Sequence, residues 1–211
     1  SPQPAVADAG TVIGHNGMVA SSHPLAVEAG LQTLKNGGNA FDAAVTTAAA
    51  LNVVEPMSTG IGGDCFTLLY LGDTGEIKAL NGSGRAPQAL GIEVFQERGL
   101  SAVPPTGMLP VTVPGTVDGW ATLLDAHGTI SLGEALAPAT RYAEEGFRVT
   151  SIIASEWAYF TGKLRATPDA ARHYLVDGER APRAGEAVRL PALGASLRQI
   201  AEGGRDAFYE G

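Results

Sequence analysis

Gly37-Gly38-Asn39-Ala40-Phe41-Asp42-Ala43-Ala44-Val45-Thr46-Thr47-Ala48-Ala49-Ala50-Leu51-Asn52-Val53-Val54-Glu55-Pro56 is the stretch around which the rest of the chain can be arranged. Its two glycines stop a preceding helix whose last turn carries Lys35 and Asn36. Asn39 can cap a second helix, and Asp42 stands three residues on, where the positive end of the helix dipole favours an anion. Alanine covers almost the whole circumference from Ala40 to Ala50. A helix with so little side chain can approach its neighbours closely and is expected to be buried. Pro56 ends it.

Toward the N-terminus, Met18 to Ser22 reads as a short strand running into His23. Pro24 can then open a helix, where its missing N–H costs nothing, and Leu25, Ala26, Ala29, Leu31 and Leu34 follow the helical period. Toward the C-terminus, residues 58–64 (STGIGGD) form a glycine-rich turn, and Phe66 to Leu71 reads as a buried strand. Asp73-Thr74-Gly75 turns it back into Glu76 to Leu80, giving a hairpin. Gly115 to Ala126 is amphipathic and stops at His127-Gly128, after which Ser131 and Glu134 form a capping box and Ala139 to Glu145 runs helically. Ser155 to Leu164 reads as a helix, Thr167 to Leu190 as a long polar connection, and Pro191 to Gly203 as a last helix. Phe208-Tyr209-Glu210-Gly211 has no cap or turn to finish a domain, as expected of a fragment or of one half of a cleaved precursor.

With 45 % apolar residues, the 211-residue chain can bury a sizeable core in one or two domains. Only 6 % are aromatic, so that core is aliphatic, and 28 glycines with 13 prolines imply many tight turns and close backbone approaches. A net charge of −8 with no Lys or Arg cluster points away from nucleic acid as a partner. The longest low-polarity run, Ala43 to Val54, is interrupted by Thr46, Thr47 and Asn52, so no membrane span is expected. Ser1 to Asn16 lacks a basic start and an apolar run, which reads as a leader absent or already removed. The single cysteine, Cys65, forbids an intrachain disulfide and favours a reducing compartment.

The chain carries few chemical motifs. There is no Walker loop, and Gly82-Ser83-Gly84-Arg85-Ala86-Pro87 fails the dinucleotide fingerprint because it lacks the third glycine and follows a hairpin strand. His15, His23, His127 and His173 stand far apart, without ligand spacing, and read as solvated or capping side chains; no metal or other cofactor is expected. Cys65 has no basic neighbour to activate it and reads as a small buried side chain. No Gly-x-Ser-x-Gly elbow is present, and Asn81-Gly82-Ser83 is a glycosylation sequon of the kind that arises by chance. What remains is the turn Gly60-Ile61-Gly62-Gly63-Asp64 together with Asn81 to Pro87, which the hairpin brings near each other. Successive glycines serve either an anion or tight packing, and Arg85 either grips a carboxylate bidentately or makes an internal salt bridge.

Gly17-Met18-Val19-Ala20-Ser21-Ser22, Pro24-Leu25-Ala26 and Gly37-Gly38-Asn39-Ala40-Phe41-Asp42-Ala43-Ala44-Val45 resemble the opening "GMVAS…PLA…GGNAxDAAVA" of the γ-glutamyltransferase family. Glu55-Pro56 with Gly60-Ile61-Gly62-Gly63-Asp64 resembles its "VEPxxxGIGGG". Val113-Pro114-Gly115-Thr116-Val117, Pro138-Ala139 through Glu145-Gly146-Phe147, and Ala207-Phe208-Tyr209 are similar to later stretches in matching order. Nearly the whole chain is covered.

The resemblance implies an α/β fold, the αββα sandwich of an N-terminal nucleophile hydrolase, with residues 1–211 as the N-terminal part of the large subunit: one incomplete domain. It implies a precursor that cuts itself into large and small subunits, the small one beginning with the threonine nucleophile whose own α-amine serves as base. No catalytic residue is then expected in this chain, which alone would be inactive; its partners would be the small subunit and a small acyl amide such as glutathione. In typical members an "RExAP" motif follows the hairpin, its arginine holding the substrate α-carboxylate. Here Ser83 and Gly84 occupy the arginine and glutamate positions and Arg85 stands two residues later, so Ser83, Gly84 and Arg85 are the expected lining of the acyl pocket. Losing a bidentate charge-assisted contact costs roughly 2–5 kcal/mol of binding. This departure resembles the γ-glutamyltransferase-like and acylase branches, leaving a glutaryl-type acylase, or a binding module that kept the fold and lost the chemistry, as alternatives. The lack of a leader in Ser1 to Asn16 and the Ser83 branch point to the cytoplasm, with the periplasm or the exterior as the alternative if a leader has been removed.

Overall fold

A computed structural model describes residues 11–211; Ser1 to Gly10, on which most of the leader reading rests, lie outside the described residues. In chain order the elements are α1 (Pro24–Lys35), α2 (Ala40–Val54), β1 (Cys65–Leu71), β2 (Glu76–Gly82), α3 (Ile92–Glu97), α4 (Thr116–His127), α5 (Leu132–Glu145), β3 (Phe147–Arg148), α6 (Ser151–Arg165), α7 (Pro168–Tyr174), β4 (Ala187–Val188), α8 (Pro191–Gly203) and α9 (Asp206–Tyr209). The architecture is mixed α/β: β1 and β2 form one antiparallel pair and β3 and β4 another.

The alanine-rich helix α2 is central, as its composition implies. Ala43, Ala49, Ala50, Val53 and Val54 are buried, and α1 and α5 pack on it. The approach of α1 is close because Gly30 faces Thr47; a Cβ on Gly30 would lie 2.1 Å from the Thr47 hydroxyl oxygen. On the other side α5 contributes Ala135, Leu136, Ala139 and Ala143, all fully buried, and then packs on α8 through Leu197 and Ile200. That burial offsets the cost of Pro138 inside α5, where one helical hydrogen bond is missing.

Two side chains at the head of α2 tie the layers together. The Asn39 amide oxygen accepts the Phe41 and Asp42 N–H groups at 2.8 and 3.0 Å, while its amide nitrogen donates to the His127 carbonyl at 2.7 Å. The Asp42 carboxylate is fully buried and accepts from the Asn39 N–H at 2.8 Å, the Thr129 N–H and hydroxyl at 2.8 and 2.6 Å, and the Ile130 N–H at 3.4 Å. Burial pushes this carboxyl upward, but the bonds from the Thr129 hydroxyl and the three backbone N–H groups outweigh it and hold it below its ordinary value. Gly128 permits the approach, since a Cβ there would meet Asp42 Oδ1 at 2.9 Å.

Several expectations need correction. Met18 to Ser22 carries no strand pairing, because among the described residues no strand lies beside it to complete a ladder; Val19 instead packs over Gly30. Strand β1 is buried on one face only: Cys65 and Leu69 turn inward, while Phe66, Leu68 and Tyr70 face out. Residues 167–190 are not a simple connection but hold α7 and β4, anchored by the Trp157 indole N–H donating to the Tyr174 carbonyl at 2.8 Å. Helix α6 starts at Ser151, four residues earlier than expected, because the Thr150 hydroxyl accepts the Ile153 N–H at 3.3 Å. His23 caps α1 through Nδ1, at 3.2 Å from the Leu25 nitrogen, yet it is buried rather than solvated. Burial pushes its imidazole below the ordinary value against the upward pull of Glu55, which suits an acceptor.

The Asp42 network generates a test. Its folded carboxyl lies below the unfolded value of about 3.9, so its contribution is complete above that pH and is lost as the pH falls through the folded value. Asp42→Asn is expected to lower the unfolding free energy by about 3 kcal/mol at neutral pH, because an amide puts a donor where donors already converge. It should also flatten the loss of stability as the pH falls below about 4. Urea midpoints measured from neutral pH down into acid check both effects, and equal midpoints for the two proteins at neutral pH would refute the role given to this carboxylate.

Candidate functional site

The hairpin register places Cys65 opposite Gly82, so the turn before β1 and the loop after β2 meet at the same end of the sheet. The contact is direct: the Gly84 N–H donates to Asp64 Oδ1 at 2.9 Å. Ser83 is held one step earlier, its N–H donating to the Asn81 side-chain oxygen at 2.9 Å. The two segments paired by sequence reasoning therefore come together.

A third segment, Val113 to Gly115, closes the group. The Val113 N–H donates to the Arg85 carbonyl at 2.9 Å. The backbones touch only because side chains are absent: a Cβ on Gly84 would lie 1.7 Å from the Val113 carbonyl oxygen, and one on Gly115 would lie 1.9 Å from that of Gly82. The Gly63 carbonyl accepts the N–H groups of Gly115 and Thr116 at 2.9 and 3.0 Å, joining the glycine turn to the start of α4. Close packing therefore accounts for Gly84 and Gly115, whereas a Cβ on Gly60 or Gly62 of the turn before β1 would meet open space.

Between Asn81–Gln88 and Val113–Asp118 lies an open cavity of about 520 Å³. Ser83, Gly84 and Arg85 line it, and Ser83 and Arg85 are exposed. Among the described residues Arg85 pairs with no carboxylate, so the internal salt bridge does not form there, and its exposed side chain belongs to the cavity lining.

Three lining residues escaped the sequence reading. Arg205 pairs with Asp118 and, at 3.1 Å, with Asp206, and its guanidinium carbon lies 4.8 Å from the centre of the Tyr209 ring. The Tyr209 hydroxyl donates to the Pro114 carbonyl at 2.7 Å and accepts the Asp118 N–H at 3.1 Å. Burial pushes the Tyr209 phenol above its ordinary value, so it keeps the proton it donates. Asp118 and Tyr209 are 91 residues apart, and only the motif around Ala207 to Tyr209 hinted at a role. Cys65 sits half-buried outside the cavity lining, packed against Gly119 of α4. Among the described residues no helix is long and apolar enough to cross a membrane.

Known proteins share the sequence pattern and the fold of this chain. The glutathione hydrolase-like YwrD proenzyme of Bacillus subtilis is 43 % identical over 202 residues, covering 95 % of this chain and 38 % of that protein. The chain thus spans about two fifths of that relative. The crystal structure of cephalosporin acylase from Bacillus halodurans superimposes with a TM-score of 0.89 at 44 % identity, covering all of this chain and 40 % of that one. The γ-glutamyltranspeptidase of Helicobacter pylori gives a TM-score of 0.89 at 31 % identity, over 95 % of this chain and 58 % of that one. The family model described as gamma-glutamyltranspeptidase matches residues 26–211, a span that contains every segment lining the cavity. By that match the chain belongs to the gamma-glutamyltranspeptidase family.

Proposed function

We propose that residues 1–211 form the N-terminal part of the large subunit of a self-processing amide hydrolase or acyltransferase, in which Ser83, Gly84 and Arg85 line the acyl pocket. The observation that carries this reading is Arg85, without a carboxylate partner among the described residues, on the lining of a cavity built from three interlocked backbone segments. A guanidinium without a carboxylate partner of its own suits the carboxylate of an acyl group. The names of the similar proteins, a glutathione hydrolase-like proenzyme and a cephalosporin acylase, support amide chemistry after precursor processing.

In this reading the nucleophile is a threonine at the start of the small subunit. Its hydroxyl adds to the amide carbonyl as its α-amine takes the proton; the C–N bond then breaks, the amine leaves with a proton, and the acyl group remains as an ester. Water releases the acid, or an acceptor amine takes the acyl group. Ser83 stands where typical members carry the carboxylate-binding arginine, which favours an acyl group gripped through its far carboxylate by Arg85. A glutaryl-type acyl group, which lacks the α-amino group, is the second reading.

The αββα sandwich is part of the same proposal. One face of the β1–β2 hairpin rests on α4, where Cys65 meets Gly119, and the other carries Phe66, Leu68, Tyr70 and Ile77, each about 70 % exposed. Such an apolar face fits a second sheet stacked about 10 Å away. The rest of the precursor would supply it.

Two measurements test these statements. Protein made from the complete gene is expected to run as two fragments, the smaller beginning with threonine, and to release the amine from γ-glutamyl or glutaryl anilide. Arg85→Gln should raise KM by an amount equivalent to roughly 2–5 kcal/mol while leaving processing intact. A single uncleaved chain inert to both anilides would leave the binding-module reading instead. Separately, Leu68→Asp lies on the open face and should spare the core of this chain but prevent the two fragments from co-purifying. Normal co-purification of that variant would rule out a sheet on this face.

A further inference from the structure

Helix α4 begins with a defect that its neighbours repair. Its N-cap residue is Gly115, which has no side chain to accept the N–H groups of the first turn. No side chain can be added there, because a Cβ would overlap the Gly82 carbonyl. Two distant segments supply the acceptors. The Gly63 carbonyl takes the Gly115 and Thr116 N–H groups, and the Tyr209 hydroxyl takes the Asp118 N–H. The same hydroxyl spends its one proton on the Pro114 carbonyl at 2.7 Å. Tyr209 therefore grips both sides of Gly115, one contact in the helix and one in the segment preceding it.

That segment is the wall against which the candidate acyl pocket is built. Val113 bonds to Arg85, and the Val113 and Gly82 carbonyls leave no room for Cβ atoms on Gly84 and Gly115. A displacement of Pro114 is transmitted to Ser83–Arg85 because the backbones are in contact and cannot slide independently. The ring is steadied in turn by the Arg205 guanidinium 4.8 Å from its centre, which Asp118 of the same helix also holds. We propose that Tyr209 is a positioning residue for the acyl pocket: its hydroxyl stands in for the missing cap of α4 and thereby sets where Arg85 presents its guanidinium. This inference rests on the acyl-pocket reading above.

The test uses protein made from the complete gene, with Tyr209→Phe as the variant, because the ring and its packing remain and only the hydroxyl is lost. Four quantities are read: the processed fraction, kcat and KM with glutaryl and γ-glutamyl anilides, and deuterium exchange at the amides of residues 115–118. The expected result is wild-type processing, faster exchange at those amides, a KM raised roughly fivefold to twentyfold and a kcat within about twofold. Unchanged KM together with faster exchange would reduce Tyr209 to a helix cap without influence on the pocket. Unchanged exchange would refute the cap itself. A parallel loss of processing, kcat and soluble protein would make the residue merely structural, which also overturns the proposal. If the processed wild-type protein turns over neither anilide, the acyl-pocket reading falls first; if it does turn them over and the variant matches it, only the role of Tyr209 falls.

Discussion

The buried carboxylate of Asp42 is the constraint on which the packing depends. An ionised group away from water is tolerated only where donors surround it, and here they come from Asn39 on its own turn and from Thr129 and Ile130 in the link between α4 and α5. The buried surface of α2 is otherwise made mostly of small residues, alanine, valine and threonine, and small side chains discriminate between registers less sharply than a buried charge does. Any register that carried it away from the 128–130 link would strand a charge in the interior, so one polar residue selects among packings that the small apolar residues alone would leave close in energy.

From that fixed point the cavity follows by a short chain of contacts. The 128–130 link sets the C-terminal end of α4, and the opposite end of α4 meets the glycine turn, the β2 exit and α9. No cap is encoded at the start of that helix, so its first turn is completed by groups from both directions in the sequence. The high glycine content finds its use here. Gly82, Gly84 and Gly115 bring three backbones within contact distance, which places main-chain atoms along the cavity and leaves Arg85 as the long side chain among them.

Local signals made much of this legible. The caps at Asn39 and Ser131, the stops at Gly37 and Gly128, and the turn at Asp73-Thr74-Gly75 each depend on residues within four positions, and each stands as the sequence implied. The alternation of β1 was misread because its outward face is also apolar; Phe66, Leu68 and Tyr70 look like core to any reading that sees hydrophobicity without knowing what covers it. Met18 to Ser22 was misread for the complementary reason, since strand formation needs a neighbour that the described residues do not supply. At the cavity, the pairing of Asp64 with Gly84 was within reach because one hairpin separates them. Asp118, Arg205 and Tyr209 were not, because the contacts that unite them close a loop of nearly half the chain and have no periodic or capping signature.

The open face of the hairpin also bears on the order in which such a protein can be assembled. A two-stranded pair with an apolar outer face is marginal in water by itself, and it invites pairing with whatever strand it meets first. When its mate is joined to it in one polypeptide, the encounter is intramolecular, at an effective concentration on the order of millimolar for a short tether. Two separately made pieces would have to find each other at cellular dilution, in competition with copies of themselves. For a sandwich of the proposed kind, synthesis as a single precursor and scission only after the sheets have closed is therefore a kinetic safeguard against aggregation as much as a means of unmasking a nucleophile.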